Sequence, residues 1–391
     1  MRLGIVTHKL VKGDGQGRVN YEVARAMADR GHEVVLLASE VSPDLATHPA
    51  VTWARFPVAG WPTELVRNQV FAIRSTAWLW KHQTSLDLVL ANGCITWSPV
   101  DVNAVHFVHG TWMCSPVHTS RLRPGPYGWY QWVYTALNAT WERLAFKQAK
   151  AIVAVSNQVR DELLDIGVSP DVIRVITNGV DLDEFSPGRA SREALDLPVG
   201  EVLGVFIGDI RTPRKNLDTV LRAMQLVPMM HLAVVGATDG SPYPEMARRL
   251  RIADRVHFLG YRRDVPEIMR AADLCLCPSR HEPFSLVLIE ALASGLPVIT
   301  ARCVGAAQLV SPGSGFVLAD PEDVNGLAAA MSRLVEEPGL REQMGKEARA
   351  VAVQHSWRVM AQHYVNLFEY MAAHTERAPA VQRREYAFTR R

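Results

Sequence analysis

Short apolar runs alternate with longer amphipathic stretches along most of the chain. Each run is bounded by polar residues, glycine or proline and has the length of a buried parallel strand, whereas the stretches between runs favour helix. This alternation predicts βαβ units and therefore an α/β fold with parallel sheets. The first helix is predicted at 19–30, before Gly31. The predicted strands are 3–6, 33–38, 86–91, 104–108, 151–155, 174–176, 202–207, 232–235, 256–259, 274–277 and 298–299.

The strand and helix alternation starts twice, on either side of a polar stretch rich in Pro, Gly and Ser at 188–200. A chain of 391 residues is longer than one ordinary core requires, so two domains are expected. We predict a first domain at 1–187, a linker at 188–200 and a second domain at 201–355, with a ligand site in the cleft between the domains. A helix at 356–375 and a disordered basic tail at 376–391 are predicted to follow.

Composition narrows the functional classes. The hydrophobic share of 48% suffices for two cores, and the formal net charge of +2 gives no argument for nucleic acid as a partner. The five cysteines are scattered in a way that favours neither a disulfide nor a metal site, which is typical of a reducing compartment. The N-terminus resembles a first strand rather than a leader, and no apolar run has the length of a membrane span. We expect a cytoplasmic protein, either free or bound to the inner face of the membrane.

Two carboxylates, Glu282 and Glu290, mark the stretch from His281 to Thr300. Glu282 follows the predicted strand 274–277 in a loop, and Glu290 lies about one turn into the next helix. In open α/β sheets, ligands bind outside the carboxyl ends of strands, and a helix N-terminus there favours a phosphate. The alternative is that Glu282 caps the helix and Glu290 is an ordinary solvated residue.

The loop after strand 202–207 runs from Gly208 to Asn216 and contains three cations: Arg211, Arg214 and Lys215. Such cations before a helix can bind a diphosphate. A solvated basic loop is the alternative.

A glycine loop follows the first predicted strand, with Gly13, Gly15 and Gly17. These glycines would let backbone N–H groups approach a ligand oxygen or phosphate closely. A dinucleotide fingerprint requires its glycines directly after the strand, and here Arg18 replaces the third glycine. Glu40, at the end of the second predicted strand, keeps NAD binding as an alternative.

His109 follows the predicted strand 104–108 and precedes a glycine, which suits a hydrogen bond to substrate, although a structural role is an alternative. The next segment, 121–150, mixes aromatic and basic residues around a helix. This composition suits contact with anionic lipid or a lipid-linked acceptor. A helix that buries its aromatics in the core is the alternative. The residues concerned are Arg121, Arg123, Trp129, Tyr130, Trp132, Tyr134, Trp141, Arg143, Lys147 and Lys150.

Four landmarks together produce a resemblance over essentially the whole chain. They are the glycine loop at 13–17 with Gly31-His32-Glu33-Val34 after its helix, Asn178-Gly179-Val180-Asp181 with Phe185, the loop Arg214-Lys215-Asn216, and Glu282 spaced by seven residues from Glu290. In this order they resemble the family 4 glycosyltransferases, which use nucleotide sugars. The resemblance implies a GT-B fold: two Rossmann-like, doubly wound domains that face each other across a cleft, with the C-terminal helix packed back on the first domain.

The resemblance also implies roles for individual residues. Glu282 would contact donor-sugar hydroxyls and Glu290 the ribose, while Lys215, with Arg211 or Arg214, would neutralise the diphosphate. His109 would lie near the anomeric centre. The remaining donor-binding residues would be Gly15 and Gly17 over the phosphates, Gly208, and the backbone of Phe284, Ser285 and Leu286. Transfer would retain the anomeric configuration and require neither a metal nor a cofactor.

Three departures from the family pattern affect this expectation. Asp209 stands where many relatives have Arg, and we hypothesise that Arg211 replaces that phosphate contact. Ser285 stands where relatives often have Gly, which narrows the space beside the sugar. Ala307-Gln308 replaces Pro-Glu, so a charged contact becomes neutral.

The function expected from the resemblance is transfer of a hexose from a nucleotide sugar to a saccharide or lipid-linked saccharide in surface or exopolysaccharide synthesis. UDP-glucose is the favoured donor. The alternatives are a GDP-mannose-dependent mannosyltransferase, a GT-B-like epimerase or sugar-nucleotide hydrolase, a non-catalytic partner subunit and an NAD-dependent oxidoreductase.

Overall fold

Two parallel sheets form the frame of the protein in the computed structural model, which describes residues 1–375. The predicted tail at 376–391 lies outside the described residues. The first sheet has the order β5-β3-β1-β6-β7-β8-β9, and β2 pairs with β4 beside it. These strands are β1 (Arg2–Val6), β2 (Lys9–Leu10), β3 (Glu33–Ala38), β4 (Glu40–Val41), β5 (Val51–Arg55), β6 (Leu88–Asn92), β7 (Val102–Val105), β8 (Ala151–Ala154) and β9 (Ile173–Val175).

The second sheet has the order β12-β11-β10-β13-β14-β15. Its strands are β10 (Val202–Ile207), β11 (Met230–Val235), β12 (Val256–Gly260), β13 (Leu274–Cys277), β14 (Val298–Ala301) and β15 (Gly315–Leu318). The helices are α1 (Gly15–Asp29), α2 (Pro43–Ala46), α3 (Glu64–His82), α4 (His109–Cys114), α5 (Thr119–Leu122), α6 (Pro126–Gln148), α7 (Asn157–Asp165), α8 (Leu217–Leu226), α9 (Tyr243–Arg249), α10 (Val265–Ala271), α11 (Leu286–Ala293), α12 (Val324–Glu336), α13 (Pro338–Val353) and α14 (Trp357–Thr375). The predicted linker, 188–200, lies between β9 and β10.

The strand order reverses once in each sheet, because β1 lies between β3 and β6 while β10 lies between β11 and β13. Connections on the two sides of such a reversal leave toward opposite faces, which opens a crevice outside the carboxyl ends of the strands. The glycine loop follows β1, the basic loop follows β10, and the loop with Glu282 follows β13. The two domains face each other across this cleft, which confirms the predicted GT-B architecture.

Helices cover both faces of the first sheet. Side chains from α1 and α14 share a buried cluster with alternate residues of β1, β3 and β6. On the opposite face, Phe71 and Leu79 of α3 pack against Val6 of β1, and Phe146 of α6 packs in the cluster that contains Val105 of β7. α3 and α6 therefore lie on the same side of the sheet.

The C-terminal helix returns to the first domain, as predicted. Trp357, Tyr364 and Phe368 of α14 are buried in the core of that domain. The chain enters α14 beside Gly179, where an added β-carbon would lie 2.5 Å from the backbone nitrogen of Trp357. That nitrogen donates to the carbonyl of Val180 over 3.2 Å. The Asn-Gly-Val-Asp segment therefore anchors the returning helix.

Each predicted strand has a counterpart, but some boundaries differ. The strand predicted at 104–108 ends at Val105, so His109 begins a helix instead of directly following a strand. The helix predicted from residue 19 begins at Gly15, because the carboxylate of Asp14 accepts a hydrogen bond from the N–H of Gly17 over 2.7 Å. The sequence did not predict β5 and β15, which are edge strands with half-exposed residues and weak apolar signal.

None of the helices within 1–375 has the combination of length and hydropathy that a membrane span requires.

Candidate active site

Lys215, Arg214 and Glu282 form a charged cluster in the cleft. The ammonium of Lys215 donates a hydrogen bond to the Glu282 carboxylate, and Nη1 of Arg214 lies 3.8 Å from the same oxygen. The Lys215 and Glu282 side chains are each only 13% exposed. Burial opposes ionisation of Glu282, but the attraction of Lys215 and Arg214 outweighs it and holds the pKa of Glu282 below its ordinary value. The cluster therefore offers a fixed cation pair and a carboxylate to a ligand.

Gly208 makes room for this cluster. A β-carbon at Gly208 would lie 3.1 Å from Cγ of Lys215, which is closer than ordinary van der Waals contact. The stem of Lys215 therefore crosses directly over the Gly208 backbone. The structure thus gives Gly208 a packing role beside the predicted donor site.

The loop that holds Glu282 is tied to both domains. The backbone N–H of Gly305 donates to the Glu282 carbonyl over 2.8 Å, and a β-carbon at Gly305 would lie 1.9 Å from the carbonyl oxygen of Pro283. From the first domain, the hydroxyl of Ser156 donates to that same Pro283 oxygen over 2.7 Å. These contacts hold the loop in place without a ligand.

Ser285 has an unusual backbone conformation at the start of α11. Its φ is +86° and its ψ is 93°, in a region that side chains with a β-carbon rarely adopt. Phe284 before it is buried, and Leu286 after it opens the helix. The side chain of Ser285, the N-cap residue, forms no capping hydrogen bond at the first turn of α11, so N–H groups there remain available to a ligand phosphate.

The glycine loop of the first domain meets this helix. A β-carbon at Gly15 would lie 3.5 Å from Cδ1 of Leu286, so Gly15 faces the start of α11 across the cleft. Gly17 has a different constraint, because a β-carbon there would lie 3.0 Å from the capping oxygen of Asp14. The structure therefore brings Gly15 to the predicted donor loop and assigns Gly17 to the cap of α1.

Glu290 lies where three segments meet. Burial raises the pKa of Glu290 to about 7; repulsion from Glu184 adds to this effect, and Arg18 and Lys215 oppose it. Arg18 extends from α1 and its Nη2 lies 3.1 Å from the carboxylate of Asp181. Glu290 is thus within electrostatic reach of Arg18, which pairs with Asp181 of the Asn-Gly-Val-Asp segment. In the sequence, Arg18 was notable only because it replaces a glycine of the dinucleotide fingerprint.

His109 is held by a buried carboxylate. Its Nδ1 lies 2.6 Å from Oε1 of Glu142 on α6, and its backbone N–H donates to Oε2 over 2.9 Å. The Glu142 side chain is only 4% exposed. Because a carboxylate accepts hydrogen bonds, the N–H at Nδ1 donates to Glu142, and this bond fixes the orientation of the imidazole ring. Glu142 was not predicted from the sequence, because no local pattern links it to His109, which lies 33 positions away.

His281 connects the donor loop to the side of His109. Its ring centroid lies 5.6 Å from that of Phe107 and 5.0 Å from that of Trp112, and Phe107 also contacts His109 at 5.1 Å. Burial lowers the pKa of His281 to about 4, and Arg214 adds to the effect. A neutral imidazole therefore joins the two walls of the cleft.

Arg211 pairs with Asp209 and not with Glu282. Its Nε donates to Asp209 over 2.9 Å, and its side chain is 54% exposed. The predicted contact of Arg211 with the diphosphate therefore stays a prediction, and it would require Arg211 to leave Asp209. The third departure from the family pattern, Gln308, accepts a hydrogen bond from the N–H of Asn157 over 2.7 Å and so joins the two domains. Within residues 1–375, no three His, Cys, Asp or Glu side chains come together as metal ligands.

Family models match both halves of the chain. The model described as Glycosyltransferase Family 4 matches residues 13–184, and the model described as Glycosyl transferases group 1 matches residues 201–337. D-inositol 3-phosphate glycosyltransferase of Mycobacterium bovis is 32% identical over 354 residues, which are 83% of this chain and 72% of that relative. D-inositol 3-phosphate glycosyltransferase 2 of Catenulispora acidiphila is 35% identical over 232 residues, 54% of each chain, so the match spans about half of that relative's length.

Solved structures share the fold. Sucrose-phosphate synthase from Thermosynechococcus elongatus superposes with a TM-score of 0.77 at 21% identity, over 95% of this chain and 99% of that one. Anabaena HepE in complex with UDP and glucose superposes with a TM-score of 0.69 at 21% identity, over 94% of this chain and 99% of that one.

Proposed function

Since the chain belongs to the family 4 glycosyltransferases, we propose that it transfers a hexose from a nucleotide diphosphate sugar to an acceptor hydroxyl with retention of configuration. The observation that carries this proposal is the buried cluster of Lys215, Arg214 and Glu282 beside the uncapped N-terminus of α11. Cations and helix N–H groups that converge on one point suit a diphosphate.

In this proposal, Lys215 exchanges its partner when the donor binds. Its ammonium turns from Glu282 to the diphosphate, and the freed carboxylate accepts hydrogen bonds from sugar hydroxyls. As the bond between the anomeric carbon and the phosphate oxygen breaks, the electron pair stays on that oxygen. The acceptor oxygen bonds to the anomeric carbon from the same face, and its proton passes to the departing diphosphate. Fixed cations and N–H groups lower the barrier by stabilising this developing charge. Glu290 holds the ribose, and His109, oriented by Glu142, faces the reacting centre.

The favoured donor is a UDP-hexose, with glucose first and GDP-mannose as the alternative. A structural neighbour that was solved with UDP and glucose supports the uracil nucleotide. The proposed acceptor is a saccharide or a lipid-linked saccharide of a surface polysaccharide, and transfer would occur at the inner face of the membrane. A second acceptor is D-inositol 3-phosphate, which the names of the relatives favour.

Calorimetric titration with UDP, UDP-glucose, GDP and GDP-mannose tests the donor. A UDP-hexose should bind more tightly than GDP-mannose, and Glu290→Ala should weaken binding of every nucleotide that binds. Absence of binding by all four ligands would contradict the proposal. Product analysis with and without acceptor distinguishes transfer from epimerisation and from hydrolysis, and a fluorescence titration with NAD tests the redox alternative.

The rate of hexose transfer by substituted variants tests the role of the cluster of Lys215, Arg214 and Glu282. Lys215→Ala should abolish transfer, whereas Lys346→Ala, which removes a surface lysine paired with Glu342, should leave it unchanged. Transfer should also persist in the presence of a chelator, because fixed cations supply the charge that a metal would otherwise provide. Full activity of Lys215→Ala in a folded protein would refute the assignment.

A further inference from the structure

A pocket of about 410 Å³ lies between the two domains. One wall is helix α7 of the first domain, and the other is formed by residues between 302 and 308, with Val317 of β15, from the second domain. No residue predicted from the sequence to bind donor or to take part in catalysis lines this pocket. One wall residue, Gly305, donates the hydrogen bond that holds the carbonyl of Glu282. The pocket is therefore separate from the candidate active site but adjoins the loop that carries Glu282.

Helix α7 presents acidic and amide side chains to the pocket. Gln158, Glu162 and Asp165 follow each other at intervals of four and three residues, so they share one side of the helix. Asp161 lies one turn before Asp165, and all four side chains line the pocket. The lining thus contains three carboxyl groups, whereas its one cation is Arg302 of the second domain. Acidic groups therefore predominate in this pocket.

The carboxyl group of Glu162 is buried and incompletely paired. The residue is only 6% exposed, and its Oε1 accepts a hydrogen bond from the amide of Gln158 over 3.1 Å. Its other oxygen, Oε2, is buried without a hydrogen-bond partner, and so is Oε1 of Gln158. Buried polar atoms are nearly always paired in folded proteins. Two unpaired acceptor atoms in the wall of one pocket therefore indicate a ligand that donates hydrogen bonds.

The electrostatic environment of Glu162 favours a positively charged ligand. Burial raises the pKa of Glu162 to about 7; the hydrogen bond from Gln158 opposes this effect, and repulsion from Asp165 and Glu142 adds to it. Arg302 forms no ion pair with Glu162 in the part of the chain that the structure describes. A buried carboxylate is stable only when a cation or hydrogen-bond donors compensate its charge. A cation in the pocket would supply that compensation.

The arrangement of the lining favours an organic ammonium group over a metal ion. Carboxylates that hold a metal ion converge on one point, and within the described residues no three His, Cys, Asp or Glu side chains do so. The acidic side chains are instead spread over about two turns of α7. Val304, Ala307 and Val317 in the opposite wall offer apolar contacts to methylene groups. An ammonium group donates three hydrogen bonds and accepts none, which matches the unpaired acceptor atoms.

We propose that this pocket binds an aliphatic diamine or polyamine, a molecule with two or more ammonium groups on a hydrocarbon chain. One ammonium group donates to Oε2 of Glu162 and to Oε1 of Gln158. Another lies beside Asp165, which forms no ion pair within residues 1–375, whereas Asp161 already pairs with Arg160 over 2.8 Å. Because the walls come from both domains, the bound amine also stabilises their packing. The proposal concerns binding alone and does not rest on the proposed function.

Calorimetric titration of the full chain with putrescine and with spermidine tests the proposal. Each amine should bind as one molecule per chain. The neutral analogue 1,4-butanediol, which carries hydroxyls in place of the ammonium groups of putrescine, should not bind.

The variant Glu162→Gln removes the buried charge and keeps the shape of the side chain. It should weaken amine binding by about tenfold or more, because a hydrogen bond to a charged group contributes at least that factor. The matched control is Glu336→Gln, which makes the same change at an exposed position of α12 and should leave binding unchanged. Thermal unfolding should show that both variants are folded, since an amide at 162 removes the cost of a buried carboxyl group.

Replacing the cation of the lining should have the opposite effect. Arg302→Gln should strengthen amine binding by about twofold, because it removes the repulsion of an exposed charge, which is weak in water. Arg263→Gln, at an exposed position of the second domain outside the pocket, is the control for loss of a positive charge. Weaker amine binding by Arg302→Gln would contradict the assigned charge of the ligand.

Three results would overturn the proposal: no binding of either amine, equal binding of putrescine and 1,4-butanediol, or wild-type amine affinity in folded Glu162→Gln. Binding of Mg²⁺ that is tighter than that of putrescine and lost in Glu162→Gln would assign the pocket to a metal ion and would also overturn it. These titrations contain no nucleotide sugar. Their failure would therefore leave the proposed hexose transfer intact, and failure of hexose transfer would leave amine binding intact.

Discussion

Glu290 should make the stability of the unliganded protein depend on pH. Burial and the repulsion of Glu184 raise the pKa of Glu290 from 4.5 to about 7 in the folded state. Between these values the folded protein retains a proton that the unfolded chain has released, so stability falls as the pH rises. The penalty is absent below the unfolded pKa and complete above the folded pKa. A shift of this size corresponds to about 3 kcal/mol, since one pKa unit is about 1.4 kcal/mol.

The variant Glu290→Gln isolates this effect, because an amide of nearly the same shape stays neutral at every pH. We expect the free energy of unfolding of the variant, relative to wild type, to increase by about 2 to 3 kcal/mol between pH 5 and pH 8. Urea denaturation of variant and wild type at both pH values measures this increase. Any pH-independent cost of the amide cancels when the differences at the two pH values are subtracted. Glu267→Gln, on an exposed position of α10, is the control for loss of a surface carboxyl. If the difference between Glu290→Gln and wild type is the same at both pH values, Glu290 does not carry the raised pKa.

Three further substitutions test the loops of the site, with urea denaturation and nucleotide calorimetry as the measurements. Lys215→Met should cost about 3 kcal/mol by leaving the Glu282 carboxylate buried without its main partner, and adding Glu282→Gln should recover most of that loss; an additive pair would refute their coupling. Ser285→Gly should stabilise the protein by about 1 kcal/mol, because glycine adopts a φ of +86° without strain, and a loss of stability would contradict this. Gly305→Ala should weaken nucleotide binding by displacing the Glu282 loop, since its β-carbon would lie 1.9 Å from a backbone oxygen, whereas Gly313→Ala, 3.5 Å from its nearest side chain, should not.

The structure clarifies the alternatives for the aromatic and basic segment. Composition alone could not distinguish a membrane-facing helix from a core helix, and the segment combines both. Trp129 and Trp132 point outward, while Trp141 is half-buried and packs on Trp97 with a centroid distance of 5.3 Å. A helix that lies on a sheet must have an inner and an outer side, and only packing determines which residues occupy each.

Ser285 shows how a local substitution and a tertiary constraint interact. From the sequence, less space is expected beside the donor sugar, because a side chain replaces glycine there. The structure adds that the backbone keeps a conformation suited to glycine, held by the contacts that fix the loop on both sides. A strained backbone conformation persists only where the surrounding contacts are strong enough to hold it in place.

The α/β class, the positions of most strands, the cleft between two domains and the loops that carry Gly15, Lys215 and Glu282 could be predicted from the sequence. These features depend on short-range patterns: apolar runs, helix breakers and the rule that parallel strands place their following loops at one edge. The sequence by itself also placed Glu282 and Glu290 on a loop and on the helix after it.

Only the tertiary structure decided which side chains meet. Arg18 and Asp181 are separated by 163 positions and His109 and Glu142 by 33, so no local pattern links them. The burial that raises the pKa of Glu290 and the exposure of Trp80 likewise depend on how the helices pack on the sheets and how the two domains pack against each other. Periodicity specifies the elements, because it is a property of neighbouring residues, whereas charge pairing and burial result from packing between distant parts of the chain.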